Sequence, residues 1–343
     1  MKAIIIGATG YGSAELIRLL YQHPHAEIGG LISSSQAGGE LKEVFPHLSH
    51  LTFTLEEMDP DRIADMGEVV FFAAPAGVSS EWLPRLAEKG LTCIDLAGDF
   101  RLEPQAYAEW YGKTPPPSPW LEQAVYGLSE WRRQEIARAD VIANPGCYPT
   151  AALLVLIPLL RSGAVDTETI VIDAKSGVSG AGRGMKLTTL FCEVNENLSL
   201  YKVGTHQHTP EIEQHAAALS GRSPRVMFTP QLVPMNRGIL VTVYARGVEG
   251  WNQERLTETF QEAYEDAPFV RIKEPGSWPR TKDVQGSNFC DVGVYWDDRT
   301  DTVVGMAVID NLMKGAAGQA VQNLNLRMAW PETAGLTGTP LYP

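Results

Sequence analysis

The chain has 343 residues, more than one core usually holds before it divides at roughly 250 to 300 residues, so two domains are expected. Its 28 basic and 41 acidic residues leave a formal charge of -13, which argues against a nucleic-acid backbone or an anionic membrane as the main partner. Hydrophobic content of 44% with 20% charged residues excludes a disordered chain, and no apolar run reaches the roughly 20 residues of a membrane helix, so a soluble α/β protein is expected.

Residues 3–6 read as a short buried strand that meets glycine, not as a signal peptide. The turn Gly7-Ala8-Thr9-Gly10-Tyr11-Gly12-Ser13 then opens a helix over 14–20. Strand, glycine turn and helix are the parts of a dinucleotide site, because helix-end amides face a pyrophosphate and glycine lets the backbone approach it. A glycine turn also serves simply to tighten a corner. The second strand, 27–32, ends in Ser33-Ser34-Ser35-Gln36, without the acidic residue that an NAD site sets against the ribose hydroxyls. Hydroxyls there suit a 2′-phosphate, so NADP is expected. A strand at 69–74, the loop Pro75-Ala76-Gly77-Val78-Ser79, a helix at 81–89 and a strand at 92–96 continue the alternation. The expected fold is a Rossmann-type doubly wound parallel sheet. Arg101 lies just past the carboxyl end of that last strand, where ligands of open α/β sheets gather, and its fork suits phosphate or carboxylate. Residues 104–129, with Pro115-Pro116-Pro117-Ser118-Pro119, read as an irregular surface wrap.

Residues 140–143 predict another strand, and Asn144-Pro145-Gly146-Cys147-Tyr148-Pro149-Thr150 leads from it into the apolar run 151–160. A cysteine at a helix N-terminus meets partial positive charge that favours thiolate, although an arbitrary cysteine is more often a small buried apolar side chain. Asn144 adds an amide, and Pro145 and Gly146 leave backbone amides exposed to whatever the sulfur attacks. Strands at 169–174, 225–229, 238–244 and 292–296, with helices at 210–218 and 254–263, predict a second α+β domain with a mixed, largely antiparallel sheet. Its glycine-rich segment 176–184, holding Ser176, Gly177, Gly180 and Arg183, reads as a ligand-shaping loop. His206 and His208 alternate just before a helix, and in an extended segment they point the same way. One would carry the proton of Cys147 while the other holds substrate; a metal pair lacks a third ligand. Arg237 is expected in the same pocket. A last strand passes through Asn311 into an alanine-rich helix reaching 328, expected to close the first domain, which gives domains of 1–148 completed by 312–343, and 149–311. The four cysteines show neither zinc nor disulfide spacing, which fits a reducing cytosol.

These pieces, taken in order, carry a family resemblance. GATGYGSAEL at 7–16, DLAGDFRL at 95–102, NPGCYPTA at 144–151, SGVSGAGR at 176–183, HQHTPEI at 206–212, PMNRGI at 234–239 and NLMKGAAGQA at 311–320 make the chain similar to the N-acetyl-gamma-glutamyl-phosphate reductase family, relatives of aspartate-semialdehyde dehydrogenase. The resemblance spans nearly the whole length. It implies NADPH-dependent reduction of the acyl phosphate of N-acetylglutamate to its semialdehyde, a step of arginine biosynthesis, with Cys147 as nucleophile and two or four copies in the assembly. The chain departs from the family where Ser13 stands for glycine and Gly12 for a larger residue. The expected site has Cys147 with His206, or else His208, moving the proton; Arg101 and Asn144 hold the leaving phosphate, and Arg183, Arg237 and His208 the rest of the substrate. The cofactor is expected on Gly7, Thr9, Gly10, Tyr11, Gly12, Ser33, Ser35, Ala74, Pro75, Ser176, Gly177, Gly180 and Asn311, with no metal. The aminoadipate homologue of the substrate stays open, since one methylene is worth only roughly 1–3 kcal/mol in an apolar pocket. The rival readings are a plain alcohol dehydrogenase in which Cys147 is incidental, and a non-catalytic NADP-sensing protein.

Overall fold

The computed structural model describes residues 1–342. The described chain divides into two compact units, one of residues 1–145 with 316–337, the other of 146–315 with 338–342.

The first unit is a seven-stranded sheet of β1 (Lys2–Ile6), β2 (Glu27–Ile32), β3 (Leu55–Glu56), β4 (Val69–Phe72), β5 (Thr92–Asp95), β6 (Val125–Tyr126) and β7 (Val141–Ala143). Every pairing is parallel, and the order is β3-β2-β1-β4-β5-β7-β6. All four residues of β4 are buried, as are four of the five in β1, which is why these strands read as unbroken apolar runs. The order reverses between β1 and β4, the point where a doubly wound sheet opens a crevice at its carboxyl edge. The crossovers run through α1 (Tyr11–Tyr21), α2 (Leu41–Val44), α3 (Pro60–Met66) and α4 (Val78–Ala87). Ile4, Ile6, Val70, Phe72, Leu83, Leu86 and Cys93 share one core cluster.

The stretch expected to wrap irregularly instead forms α5 (Pro104–Tyr111), α6 (Ser118–Gln123) and β6, followed by α7 (Ser129–Ile136). Prolines stand in the first turns of α5 and α6, where no intrahelical acceptor awaits their missing N–H, so they start helices instead of breaking them.

In the second unit, β8 (Ile170–Gly177), β9 (Ser199–Leu200), β10 (Val226–Val233), β11 (Ile239–Arg246), β12 (Val270–Ile272), β13 (Cys290–Asp297) and β14 (Thr302–Ile309) are ordered β12-β13-β14-β11-β8-β10-β9. The β8–β10 and β12–β13 pairs are parallel and the rest antiparallel. Helix α8 (Cys147–Ser162) is buried from Tyr148 to Leu160, as an all-round apolar helix must be. It lies so close to the sheet that a Cβ on Gly305 would come 2.3 Å from Val155 Cγ1. Three further helices, α9 (Phe191–Val194), α10 (His208–Ser220) and α11 (Gln253–Ala263), follow, and α10 and α11 pack on α8. The chain leaves this unit through a π-helical turn, Met313–Ala317. Helix α12 (Gly318–Arg327) belongs to the first unit, where Gln319 and Asn323 each donate to the Gly127 carbonyl at 2.9 Å. Among the described residues no helix is long and apolar enough to cross a membrane.

Candidate active site

In the first unit, Gly7 ends β1 in the left-handed region with φ 86°, and a Cβ there would come 2.6 Å from the Ala73 carbonyl oxygen. Only glycine lets the turn after β1 approach Ala73 and Ala74, which follow β4, at the sheet's switch point. The amides of Gly7 and Ala8 both donate to the Ile32 carbonyl at 3.0 Å, and Thr9 donates back to Gly7 at 2.8 Å. Gly10 is the N-cap of α1 and supplies no side-chain cap, and the first turn of that helix carries no acidic residue. Ser13 is fully buried and its Oγ donates to the Gly7 carbonyl at 2.6 Å. The serine that departs from the family pattern thus ties the glycine turn down instead of opening it. Ser33 is buried, Ser35 exposed, their hydroxyls 3.5 Å apart. Tyr11 is exposed at the first position of α1 and Pro75 on the loop that follows β4, while a Cβ on Gly12 would meet nothing within 4 Å.

Arg101 is buried, and its guanidinium donates to the carbonyls of Asn144 at 2.8 Å and Leu96 at 2.7 Å. It therefore braces the Asn144 turn. Asn144 is itself fully buried, with its Nδ2 donating to Ala316 at 3.2 Å and its Oδ1 accepting from Asn323 at 3.0 Å. The amide expected to face a phosphate is already engaged at both ends. Below it lie two acids that sequence reasoning passed over. Asp99 accepts from Gly77 N–H at 2.6 Å, Ser79 Oγ at 2.7 Å, Ser80 N–H at 3.1 Å and Tyr107 Oη at 2.6 Å, capping α4 from another loop. Burial, and then the neighbouring Asp99 charge, push the Asp95 carboxyl up to about 7. The DLAGD spacing at a strand's carboxyl end was the available signal.

In the second unit Cys147 is the first residue of α8, and Gly146 is its N-cap, extended at φ -65° and ψ 156°. Gly146 is held through both of its flanking peptides: its N–H donates to Glu211 Oε1 at 2.8 Å, and its carbonyl accepts from the Thr150 amide and hydroxyl, each at 2.9 Å. The Gly146 amide expected to face an attacked group is thus taken, and proline has none to offer. An oxyanion would have to be received at the N-terminal turn of α8, ahead of Pro149, which has no N–H, and of Thr150, whose amide is taken by Gly146. Cys147 is partly exposed. On its far side a Cβ built on Gly315 would come 2.9 Å from Cys147 Cβ, so the π-helical turn runs backbone-first against the cysteine.

His206 precedes α10 and His208 is its first residue, so the two do not share an extended segment. They still meet, with ring centroids 4.6 Å apart. Both rings contact Tyr148, the neighbour of Cys147, edge-on at 6.0 and 5.9 Å, and His206 also meets Tyr201 and Phe228. Burial, the adjacent His208 and Lys202 depress the His206 pKa to about 2. Its Nδ1 accepts the His208 N–H at 3.1 Å. A neutral imidazole accepting at Nδ1 carries its proton on Nε2, so His206 presents a donor, not a base.

The remaining residues gather where β8 and β14 end and β11 begins. A Cβ on Gly177 would come 2.7 Å from the Asn236 carbonyl oxygen, and one on Gly180 would come 2.8 Å from Ser176 Oγ. Asn311 accepts from Gly238 N–H at 2.7 Å and donates to Ser179 Oγ at 2.9 Å, pinning the 178–181 turn to the β10–β11 loop. Arg237, expected on substrate, forms a two-pronged pair with Asp310, at 2.9 and 3.1 Å, and Asp310 is fully buried. Arg183 is exposed. Among the described residues no group of three or more His, Cys, Asp or Glu side chains is placed to hold a metal.

Residues 2–139 match the family described as semialdehyde dehydrogenase, NAD binding domain, and residues 147–311 the one described as semialdehyde dehydrogenase, dimerisation domain. The N-acetyl-gamma-glutamyl-phosphate reductase of Brevibacillus brevis is 53% identical over 99% of each chain, and that of Geobacillus stearothermophilus 51% identical over 100% of each. In fold, the chain resembles aspartate semialdehyde dehydrogenase II of Vibrio cholerae complexed with ASA, with a TM-score of 0.71 at 20% identity, covering 96% of this chain and 98% of that one. The aspartate semialdehyde dehydrogenase of Candida albicans with NADP gives the same TM-score and coverage at 18% identity. With both of its parts matched and reductase relatives aligned end to end, the chain belongs to the N-acetyl-gamma-glutamyl-phosphate reductase family of semialdehyde dehydrogenases.

Proposed function

We propose that the chain reduces N-acetylglutamyl 5-phosphate to N-acetylglutamate 5-semialdehyde, a step of arginine biosynthesis, by way of a thioacyl group on Cys147. The observation that carries this reading is a partly exposed cysteine opening a buried helix, its backbone fixed by Glu211 and Thr150 and its neighbour Tyr148 touching two imidazoles. A purely structural cysteine needs none of this.

The steps follow from thiolate chemistry. The Cys147 proton passes to His208, because His206 already has its Nδ1 occupied. The thiolate forms a C–S bond to the acyl carbon, and the bond to the phosphate oxygen breaks, the phosphate leaving with that electron pair. Oxyanion charge falls on the first-turn amides of α8. Sulfur donates less to a carbonyl than oxygen does, so the thioester stays open to hydride. The hydride would come from a reduced nicotinamide nucleotide, held by the Gly7 turn and the N-terminus of α1. His208 hands its proton to the departing phosphate, and when the hydride adduct collapses the aldehyde C=O re-forms, the C–S bond breaks and its electron pair restores the Cys147 thiolate.

The first unit fits such a nucleotide: the Gly7 turn packs on Ala73 so closely that no Cβ is admitted, and it leads into the N-terminus of α1 at the switch point, whose first turn carries no acidic residue. The Ser33–Ser35 hydroxyls, with no carboxylate beside them on that loop, favour NADP over NAD. Self-association is supported by the exposed face of the second sheet. There Met227, Val171, Tyr244, Val304 and Tyr295 stand in register as one cross-strand row over five strands, four of them exposed. A cytoplasmic location goes with four cysteines in no disulfide.

The test is NADP reduction by N-acetylglutamate semialdehyde with and without phosphate, beside the aminoadipate homologue. Oxidation that depends on phosphate and prefers the glutamate compound supports the reading. Oxidation indifferent to phosphate overturns the thioacyl route, and a preference for the longer homologue overturns the substrate.

A further inference from the structure

Glu211 entered the sequence only as an acidic residue suited to a helix start. In the structure it is fully buried, in the first turn of α10, three residues after His208. On a helix that spacing puts the two side chains on one face. Its Oε1 reaches across to the N–H of Gly146, 65 residues away in sequence.

Three observations fix what this bond does. First, Gly146 supplies no side chain to cap α8, so the peptide entering the nucleophile's helix has no local anchor on its N–H. Second, the Gly146 carbonyl is already held by Thr150 from within α8; with Glu211 on the N–H, the two peptide planes that flank the Gly146 Cα are each held, which fixes the backbone torsions that lead into Cys147. Third, a Cβ built on Gly315 would come 2.9 Å from the Cβ of Cys147, so the cysteine has no room to shift toward that turn. An isolated buried carboxylate is costly, and a charge-assisted bond to an amide is the stronger kind.

We propose that Glu211 is a positioning residue for the reaction: by holding the Gly146 amide it sets the direction of the Cys147 side chain and locks the helix that carries His208 to the turn that carries the sulfur. This rests on the reading of Cys147 as nucleophile. Glu211 itself touches no reacting atom. A glutamine keeps an oxygen at the same reach and can accept the same N–H, whereas alanine removes the acceptor and leaves a buried amide unsatisfied.

The experiment compares the full-length Glu211→Gln and Glu211→Ala enzymes for kcat, KM, NADP affinity and the rate of Cys147 alkylation by iodoacetamide. If the acceptor matters, Glu211→Ala loses about 100-fold in kcat, the scale of an ångström of misplacement, with KM and NADP affinity within about 3-fold of the starting enzyme. Alkylation slows in step, and Glu211→Gln recovers kcat to within about 5-fold, as a retained hydrogen bond should allow. Near-normal turnover in Glu211→Ala overturns the inference, and so does a Glu211→Gln enzyme as slow as the alanine. Should Glu211→Ala fail to fold, the glutamine enzyme decides alone, since it keeps the bond: a kcat down by more than about 10-fold in a folded protein refutes positioning through the acceptor. Cys147→Ser is run alongside. If it turns over, the nucleophile reading has failed; if it is dead while Glu211→Ala is normal, only the present inference has.

Discussion

Gly315→Ala tests how tightly the cysteine is backed by the π-helical turn. Gly315 donates its N–H to Asp310, five residues earlier, at 3.0 Å, and this wide turn brings its Cα against Cys147. A Cβ there would lie 2.9 Å from Cys147 Cβ, 3.2 Å from Ile309 Cδ1 and 3.3 Å from Cys147 Cα. Ordinary contacts begin near 3.4 Å, so about half an ångström has to be absorbed. Ile309 is fully buried and Gly146 is held at both ends, so neither yields freely, and the first atom to move is the one bearing the sulfur. Overpacking of this kind costs roughly 1–3 kcal/mol, and a shift of that size at a reacting atom costs about 10- to 100-fold in kcat. Urea denaturation reads the first quantity and steady-state turnover the second, with NADP affinity as the control. A variant with stability within about 0.5 kcal/mol of the starting protein and an unchanged kcat would show that the turn does not press on the cysteine.

His206 makes acid the weak side of this fold. Its pKa is about 2 in the folded chain against about 6.5 unfolded, so below pH 6.5 the unfolded chain binds a proton that the folded one cannot, and stability falls with pH. From pH 7 to 5 this group alone removes about 2 kcal/mol. Comparing the denaturation profiles of wild type and His206→Gln isolates it, and parallel profiles would contradict the burial argument. Arg237→Met takes the charged partner from the buried Asp310 and leaves it the amides of Gly286, Leu312 and Met313, which should cost about 1.5–3 kcal/mol in the same assay. A loss of substrate affinity without loss of stability would instead return Arg237 to the substrate. Tyr244→Asp, at the centre of the exposed cross-strand row, should leave a folded chain of monomer mass by light scattering. An unchanged assembly mass would move the interface off this face.

What the sequence disclosed and what it hid divide along chain distance. The first strand, the Gly7 turn and the helix after it were legible because each signal lies within a dozen residues: apolar run, glycine at positive φ, amphipathic pattern. The helix behind Cys147 was legible for the same reason. Proline misled at 104–129, since a proline that opens a helix and one that ends it look alike without the partner surface. The histidine pair was found but its geometry was not, because His208 already belongs to α10. Glu211 and Asp310 were invisible as site builders, and Asp99 showed only as the second acid of DLAGD, with no sign of what it would hold. Their partners are Gly146, Arg237 and the Gly77–Ser80 loop, and no local pattern announces a carboxylate that will take an amide 65 residues away.

The account stands on the sulfur of Cys147 becoming acylated. The direct measurement is the intact mass of the enzyme mixed with N-acetylglutamyl 5-phosphate, with reduced nucleotide withheld so that the acyl group has nowhere to go. The account predicts one acyl group per chain, mapped to Cys147 by peptide digestion, released by hydroxylamine and lost in Cys147→Ser. An unmodified mass under conditions that release phosphate, or an adduct that survives the serine substitution, would contradict it.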